Sequence, residues 1–324
     1  TDPRFFEWLF AMEDEVHQIC PIVWWHVWDN YPFPNFNSTF YEATDRINCH
    51  SHLTYTMLKE HYPKKTNFIP HALPNDLFFP IDKQTKTHAK KNIVGLGEND
   101  FVAFWMNRNA RRKRPNDLLW SWKIFMDKLA ADGKNNAKLL LHTDPHDVEG
   151  PNLLAVASHL GIEKSIIFST DRIAFEKINL LHNISDVCIN ISYAEGFGLA
   201  TLEAMQAGTP IIALKTGGLT RQVVDHRDGS ENGVALDVDF TSLVGSQQVP
   251  FINEDYCHPE KAAEALYKMY NLSPQEKEQL SKKCIDYVQS EFSYNKTIDL
   301  WHESMLDAVE NWKNDYERWK ILEK

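Results

Sequence analysis

The sequence predicts an α/β fold built on a parallel β-sheet with helices on both faces. From about residue 100 onward, short and almost continuous apolar runs alternate with longer segments of helical periodicity. Such runs are typical of strands buried on both sides, whereas half-exposed strands alternate apolar and polar residues. Prolines and glycines also stand where helices are expected to begin and end. These observations together favour strands joined by helical crossovers.

The elements of this second part follow one another without interruption. Strands are expected at Phe101–Met106, 138–142, 165–168, 187–192 and 210–214. Helices are expected between them at Pro115–Ala131, 152–160, 175–182 and 199–207. From about residue 259 the pattern is helical to the end of the chain.

The first part shows the same alternation over a shorter length. Strands are expected at 22–27, 46–49 and 66–69, with a helix at 54–62. Residues 70–91 are interpreted as a loop that links two domains. We therefore expect a first domain at 1–88 and a second at 89–299. The final segment, 300–324, carries an aromatic stripe (Trp301, Trp312, Tyr316 and Trp319) and is expected to cross back to the first domain.

Size and charge bound the function. A chain of 324 residues has room for about two domains. Its net charge of -11 argues against nonspecific binding to nucleic acid or to an anionic membrane. No apolar run approaches the roughly 18 residues that a membrane span needs. Five scattered cysteines without a CxxC pattern favour reduced thiols, so a cytoplasmic location is expected.

A glycine-rich turn carries the strongest functional signal. The strand at 187–192 is followed by Glu195, Gly196, Phe197 and Gly198, and a helix begins at Leu199. Glycines let a backbone approach a ligand closely, and the N–H groups at a helix start favour an anion such as phosphate. Further along that helix, the carboxylate of Glu203 is able to accept hydrogen bonds from the two vicinal hydroxyls of a ribose. Glu195 lies in the turn itself, in front of which a polyol could be held.

The whole pattern of strand, glycine turn, helix, glycine, proline and strand resembles the donor site of family 4 (group 1) glycosyltransferases. In that family two glutamates with seven residues between them flank the turn, as Glu195 and Glu203 do here. The resemblance implies a GT-B fold, in which two Rossmann-like domains face each other across a cleft. It also implies retaining transfer from a nucleoside diphosphate sugar, UDP- or GDP-linked, with no metal and no other cofactor.

A second match lies about 90 residues upstream. The family has an arginine after a strand and a lysine five positions later, which correspond here to Arg108 and Lys113. Two fixed cations stabilise the charge that develops on a departing diphosphate. In this comparison Glu203 holds the ribose. Glu195 and the amides of residues 196–199 hold the sugar.

Two weaker matches complete the resemblance, which covers about residues 20–310. The loop at Ile173 resembles the one whose backbone contacts the nucleotide base. His26 ends a strand that resembles the one whose histidine faces the cleft, where it would contact the transferred sugar or assist the acceptor. The family's first strand and its glycine loop have no counterpart here. The first domain is therefore expected to be incomplete, either because it is reduced or because the chain is truncated.

Several alternatives stay open at this point. The same architecture serves nucleotide-sugar epimerases and sugar phosphorylases, and the incomplete first domain also fits a donor-binding subunit without turnover. Asp237 and Asp239 resemble the acidic pair of metal-dependent glycosyltransferases but are interpreted as loop carboxylates. The sequence leaves open the base and sugar of the donor and the oligomeric state. The acceptor, whether carbohydrate, lipid-linked or protein, is also open.

Overall fold

The structure consists of two α/β lobes that meet at a cleft. It is a computed structural model, and it describes residues 2–315. The first lobe contains a parallel sheet of three strands in the order β1-β2-β3. Its strands are β1 (Val23–His26), β2 (Arg46–Cys49) and β3 (Thr66–Phe68). Its helices are α1 (Glu7–Phe10), α2 (Glu13–Val16), α3 (Ser38–Glu42) and α4 (His52–His61).

The second lobe contains a fully parallel sheet of six strands in the order β6-β5-β4-β7-β8-β9. The strands are β4 (Phe101–Met106), β5 (Ala137–His142), β6 (Ile166–Ser169), β7 (Val187–Asn190), β8 (Ile211–Leu214) and β9 (Gly233–Leu236). An antiparallel hairpin follows, made of β10 (Phe240–Val244) and β11 (Ile252–Tyr256). The chain order reverses between β4 and β7, and ligands bind at such a point in open parallel sheets.

Helices cover both faces of the second sheet and form the remaining connections. They are α5 (Lys83–Val94), α6 (Pro115–Ala131), α7 (Leu153–Leu160), α8 (Phe175–Ile184), α9 (Leu199–Gln206), α10 (Thr220–Val223), α11 (Pro259–Tyr270), α12 (Pro274–Glu291) and α13 (Tyr294–Asp315). One apolar cluster joins β4 and β5 to α6 and α11, and it includes the fully buried Trp105 and Trp122. A second cluster packs α9 against α12. The prediction of an α/β fold with parallel strands is confirmed.

The linker prediction is wrong in part. Residues 83–94, which were expected to be mostly loop, form helix α5. Asp82 begins it by accepting a hydrogen bond from the Thr85 amide at 2.9 Å, and Gly95 ends it in a left-handed conformation. The segment has few apolar residues, so periodicity gives little signal, and its end caps mark the helix better. The hairpin of β10 and β11 was not predicted either.

Helix α13 lies against the first lobe. Ser304 Oγ donates to Asn48 Oδ1 at 3.0 Å, and the rings of Trp301 and Trp25 are 5.3 Å apart. The guanidinium of Arg46 on β2 is paired with Asp307. Tyr316 and Trp319 of the predicted aromatic stripe lie outside the described residues.

Candidate active site

A cavity of about 480 Å³ lies between the lobes, where β7 ends and α9 begins. The second lobe contributes the turn and the start of α9, together with Lys113 and Arg112. The first lobe contributes the loop after β1 and two histidines, His50 and His71. The cavity therefore sits at the carboxyl ends of the strands, beside the point where the sheet order reverses.

The turn at 195–198 has its carbonyl groups held from behind. Gln222, which is fully buried, donates through Nε2 to the Phe197 carbonyl at 2.7 Å and to the Gly198 carbonyl at 3.1 Å. The Glu195 carbonyl accepts from the Gly218 amide at 2.8 Å. Gly198 adopts φ of +96°, a conformation that favours glycine. The first amides of α9 have no intrahelical acceptor and are able to bind an anion.

Gly196 brings the two lobes into contact. A Cβ atom at this position would lie 2.8 Å from Asp29 Oδ1, and it would also overlap the side chain of Val27. Both residues belong to the loop after β1. The absence of a side chain at Gly196 is therefore what lets the turn approach the first lobe.

Lys113 and Glu195 form a direct ion pair in the cavity. The Lys113 ammonium contacts Glu195 Oε2, and the side chains are only 10% and 11% exposed. Burial alone would raise the pKa of Glu195. The charges of Lys113 and then Arg112 outweigh burial, and the pKa of Glu195 lies below its usual value. The sequence placed both residues at the site, and the structure brings them together although 82 positions separate them.

Arg112 is a cation of the site that sequence reasoning missed. Its Nη1 donates to the Ala194 carbonyl at 3.1 Å and lies 3.7 Å from Asp29 Oδ2 and 3.9 Å from Glu195 Oε1. It is adjacent to Lys113 in the basic run before α6. The sequence signal for Arg112 was the basic run at residues 111–114. The spacing of the family motif pointed to Arg108 instead.

Arg108 does not line the cavity. Its side chain is 61% exposed, and the Asp147 carboxylate accepts from its Nε at 2.7 Å and from Nη2 at 3.1 Å. Asp147 lies in the loop after β5, so this pair spans neighbouring strand ends. The expectation that Arg108 and Lys113 close together over the turn is corrected: Arg112 and Lys113 occupy that position.

Glu203 lines the cavity one turn into α9, as predicted. Its carboxylate is 11% exposed, and its Oε2 lies 3.2 Å from Nε2 of the fully buried His182. This contact holds the carboxylate in place. The ribose contact of Glu203 stays a prediction.

Of the remaining predicted site residues, one is buried in the packing and another is exposed at the cavity. The Phe197 ring is buried and contacts the His71 ring, with centroids 5.0 Å apart. Leu199 is 44% exposed at the start of α9 and lines the cavity. Ile173 lies in the loop before α8, where it packs against the apolar cluster that contains Phe104, and it is not among the lining residues. Its backbone contact with the base stays a prediction.

His26 does not face the cleft, which corrects the prediction. The imidazole is completely buried, and its Nε2 lies 2.8 Å from the hydroxyl of Tyr41. Burial alternates strictly here, and His26 lies on the inner face with Trp24 and Trp28. Side chains of a strand alternate between its faces, so the cavity receives the next odd-numbered positions, Val27 and Asp29.

Two other histidines line the cavity instead. The rings of His50 and His71 are 4.2 Å apart, and Trp25 packs against both at 4.4 and 4.3 Å. Burial lowers the pKa of both imidazoles, and that of His71 falls to about 4. Both rings are neutral at physiological pH, so each has one N–H donor and one acceptor for a hydroxyl group. They follow the ends of β2 and β3, and no spacing in the sequence distinguishes them from the other histidines of the chain.

The acidic pair at 237 and 239 serves loop contacts. Asp237 is paired with Lys215 on the surface, and Asp239 Oδ2 accepts from the His258 amide at 2.8 Å. Within residues 2–315, no group of three or more His, Cys, Asp or Glu residues is arranged to hold a metal ion.

Among the helices of residues 2–315, none combines the length and the apolar character that a membrane span requires.

The fold and the site together define a GT-B glycosyltransferase architecture, and comparison with known proteins agrees. The model of the family described as glycosyl transferases, group 1, matches residues 86–239. This segment contains the six-stranded sheet, the cations and the glycine turn. Residues 86–239 are therefore similar to group 1 glycosyltransferases, over slightly less than half of the chain.

Curated relatives match over slightly more than half of the chain. N-acetyl-α-D-glucosaminyl L-malate synthase of Bacillus anthracis is 27% identical over 194 residues, which cover 58% of this chain and 46% of that protein. D-inositol 3-phosphate glycosyltransferase of Geodermatophilus obscurus is 29% identical over 180 residues, covering 53% and 38%. The chain thus spans less than half the length of these relatives.

Solved structures share the fold over both lobes. HepE of Anabaena in complex with UDP has a TM-score of 0.68 at 15% identity, covering 89% of this chain and 72% of that one. Sucrose-phosphate synthase of Thermosynechococcus elongatus has a TM-score of 0.64 at 18% identity, covering 94% and 71%. The glycosyltransferase WaaG also shares the fold, with a TM-score of 0.60 at 17% identity, covering 82% of this chain and 63% of that one, so the two-lobed GT-B fold is confirmed.

Proposed function

We propose that the chain transfers a sugar from a nucleoside diphosphate sugar to a hydroxyl group, with retention of anomeric configuration and without a metal ion. The observation that carries the proposal is the ion pair of Lys113 and Glu195 beside the first amides of α9, inside the cavity between the lobes. A UDP-linked donor is the first candidate, because HepE of Anabaena was solved with UDP and with UDP-glucose.

The diphosphate would bind at the start of α9. The amides there and the ammonium of Lys113 favour negative charge. Lys113 has three N–H donors, so it is able to hold Glu195 and a phosphate oxygen at the same time. Arg112 adds a second cation next to it. These groups stabilise the charge that grows on the leaving diphosphate, which is where a fixed charge accelerates the reaction most.

The sugar would lie between the turn and the first lobe. Glu195 is ionised, so it accepts hydrogen bonds from sugar hydroxyls. His50 and His71 face it from the other side of the cavity. The Nε2 atom of His50 is buried and has no hydrogen-bond partner within the described structure.

The bond changes are simple. The acceptor oxygen forms a bond to the anomeric carbon while the bond from that carbon to the diphosphate oxygen breaks. The bonding electron pair leaves with the diphosphate. A phosphate oxygen then takes the acceptor proton on the same face, so no side-chain base is needed.

The five cysteines are free thiols, which supports the proposed cytoplasmic location.

A thermal-shift screen against UDP, GDP, ADP and their sugars tests donor binding. A ligand that binds the folded state raises its stability in proportion to the logarithm of concentration over dissociation constant. We expect one nucleotide and its sugar to raise the unfolding temperature of the wild type, and Lys113→Met to reduce the shift. If no nucleotide or nucleotide sugar binds, the proposal is wrong.

Product analysis tests the reaction itself. With the selected donor, NMR of the product should show the anomeric configuration of the donor, and EDTA should leave the rate unchanged. Inversion would contradict retention, and loss of rate in EDTA would contradict metal independence. Conversion of the donor sugar without any acceptor would favour an epimerase. Donor binding with no product from any acceptor would favour the binding subunit.

A further inference from the structure

A second cavity lies next to the proposed donor site, and its volume is about 490 Å³. It is bounded by the loop after β1, by the N-terminal residues 2–5 and by the β10–β11 hairpin. Val27, Asp29 and Arg112 line both cavities. The two cavities therefore adjoin at these three residues.

The charges of this cavity are already paired with one another. Arg4 Nε lies 2.9 Å from Asp2 Oδ1, Arg111 Nη1 lies 3.2 Å from Glu254 Oε2, and Arg112 lies 3.7 Å from Asp29. Three guanidinium groups thus face three carboxylates. Among the described residues that line the cavity, none is a cation left over for an anionic ligand. The charges that line the cavity therefore sum to zero, so they give a bound anion no net electrostatic attraction.

The same groups suit a neutral molecule rich in hydroxyls. A paired carboxylate keeps spare lone pairs and a paired guanidinium keeps spare N–H groups, so both are able to bind hydroxyls without losing their partners. Specificity pockets combine a few placed polar groups of this kind with apolar walls.

The walls of the cavity are aromatic. Trp28, Tyr193 and Phe5 line it, and the Tyr193 ring packs against Tyr256 at 4.4 Å and lies 5.4 Å from the Arg111 guanidinium. Because these contacts hold the Tyr193 ring in place, binding costs little ordering entropy. A sugar ring has an apolar C–H face that such a ring would cover, with hydroxyls around its edge.

We infer that this second cavity is the acceptor subsite and that it takes a neutral carbohydrate. The inference rests on the proposed transferase function and extends it by naming the class of acceptor. The acceptor hydroxyl would enter the donor cavity past Asp29 and attack the anomeric carbon there, and its proton would leave on the diphosphate.

The test measures acceptor-dependent release of nucleoside diphosphate by the full chain, with the donor found in the thermal-shift screen. The acceptor probes are matched pairs: methyl glucoside with methyl glucuronide, methyl galactoside with methyl galacturonide, and methyl mannoside with methyl mannuronide. Each pair differs mainly in the charge at C6. We expect the best neutral glycoside to react at least about tenfold faster than its uronide, because the uronide has no free cation to pair with.

Two test variants and one control variant locate the effect in the second cavity. Val249→Trp fills part of the cavity from the hairpin, and Leu243→Trp is the matched control, since Leu243 is 67% exposed on the same hairpin outside the cavity. Val249→Trp should lower the acceptor-dependent rate about tenfold or more and leave donor binding unchanged. Glu254→Gln frees Arg111, so the ratio of uronide to neutral glycoside rates should rise about tenfold.

The outcomes separate this inference from the proposed function. Failure of the wild type to bind any nucleotide sugar overturns the proposed function. Donor binding with no stimulation by any neutral glycoside overturns only the acceptor assignment. A preference for a uronide in the wild type, or an unchanged ratio in Glu254→Gln, also overturns it.

Discussion

Replacing Lys113 by methionine tests the centre of the site. In the wild type the Lys113 ammonium is paired with Glu195, and both side chains are about nine-tenths buried. Methionine keeps the length and most of the volume of the side chain but removes its charge. The variant therefore leaves the Glu195 carboxylate in the cavity with Arg112, at 3.9 Å, as its nearest remaining cation.

The expected loss of stability follows from the burial of the pair. Removing one partner of a fully buried ion pair costs about 3 to 5 kcal/mol. Here the pair borders an open cavity and Arg112 compensates in part, so we expect the free energy of unfolding to fall by about 2 kcal/mol. Turnover should fall about 10²- to 10³-fold, as for the loss of one charge-stabilising donor.

A double-mutant cycle separates the structural role of Lys113 from its catalytic role. Glu195→Gln alone should also destabilise the fold, because it leaves the lysine buried without its partner. The double variant Lys113→Met/Glu195→Gln should recover most of the stability and none of the activity. Urea unfolding measures the first quantity, and steady-state release of nucleoside diphosphate measures the second.

Two results would refute this reasoning. If the losses of stability in the two single variants simply add in the double variant, Lys113 and Glu195 do not form a pair in solution. If Lys113→Met keeps near wild-type turnover while it loses stability, Lys113 is structural and takes no part in the transfer.

Three further predictions concern the neighbours of this pair. Glu203→Gln should weaken binding of the donor nucleotide about tenfold, as measured by calorimetry, and leave the unfolding free energy nearly unchanged. A loss of rate without a loss of donor affinity would contradict the assignment of Glu203 to the ribose. Gly198→Ala should destabilise the fold by about 2 kcal/mol or more and weaken donor binding, because φ is +96° and the new Cβ would lie 2.6 Å from Leu219 Cδ2. Gly133→Ala, with φ of +71° and open space, is its control in urea unfolding and should cost only about 1 kcal/mol. Burial lowers the pKa of His71 to about 4, so the unfolded chain binds a proton near pH 6.5 that the folded chain does not. The unfolding free energy should therefore fall as the pH drops from about 6.5 to about 4, and this slope should be smaller in His71→Asn.

The predicted strands and helices were confirmed where a few neighbouring residues were enough to mark the element. Strand β4 and helix α6 have the expected bounds, because a continuous apolar run marks one and a proline opens the other. Helix α5 was missed because it is polar nearly throughout and leaves no apolar stripe to read. The β10–β11 hairpin was missed because β10 is largely exposed and β11 carries the polar run of residues 253–255, so neither strand has a continuous apolar run.

The candidate site divides in the same way. Glu195, Gly198 and Glu203 lie in one turn and one helix, so their spacing alone placed them together. The selection of Arg108 instead of Arg112 failed because the sequence does not say which arginine of a basic run meets the turn. The prediction that His26 faces the cleft was wrong because neighbouring residues of a strand point to opposite faces, so an error of one position places the side chain on the other face.

The sequence by itself determined the alternation of strands and helices, the glycine turn at the start of α9 and the acidic and basic residues around it, since each depends on neighbours within a few positions. Only the tertiary structure decided that Lys113 forms an ion pair with Glu195 and that Arg108 forms one with Asp147. It also decided that the first lobe lines the donor cavity with Asp29, His50 and His71. Those contacts join residues that are tens of positions apart in the chain. They depend on how the sheets twist and how the lobes dock, and no local periodicity records that geometry.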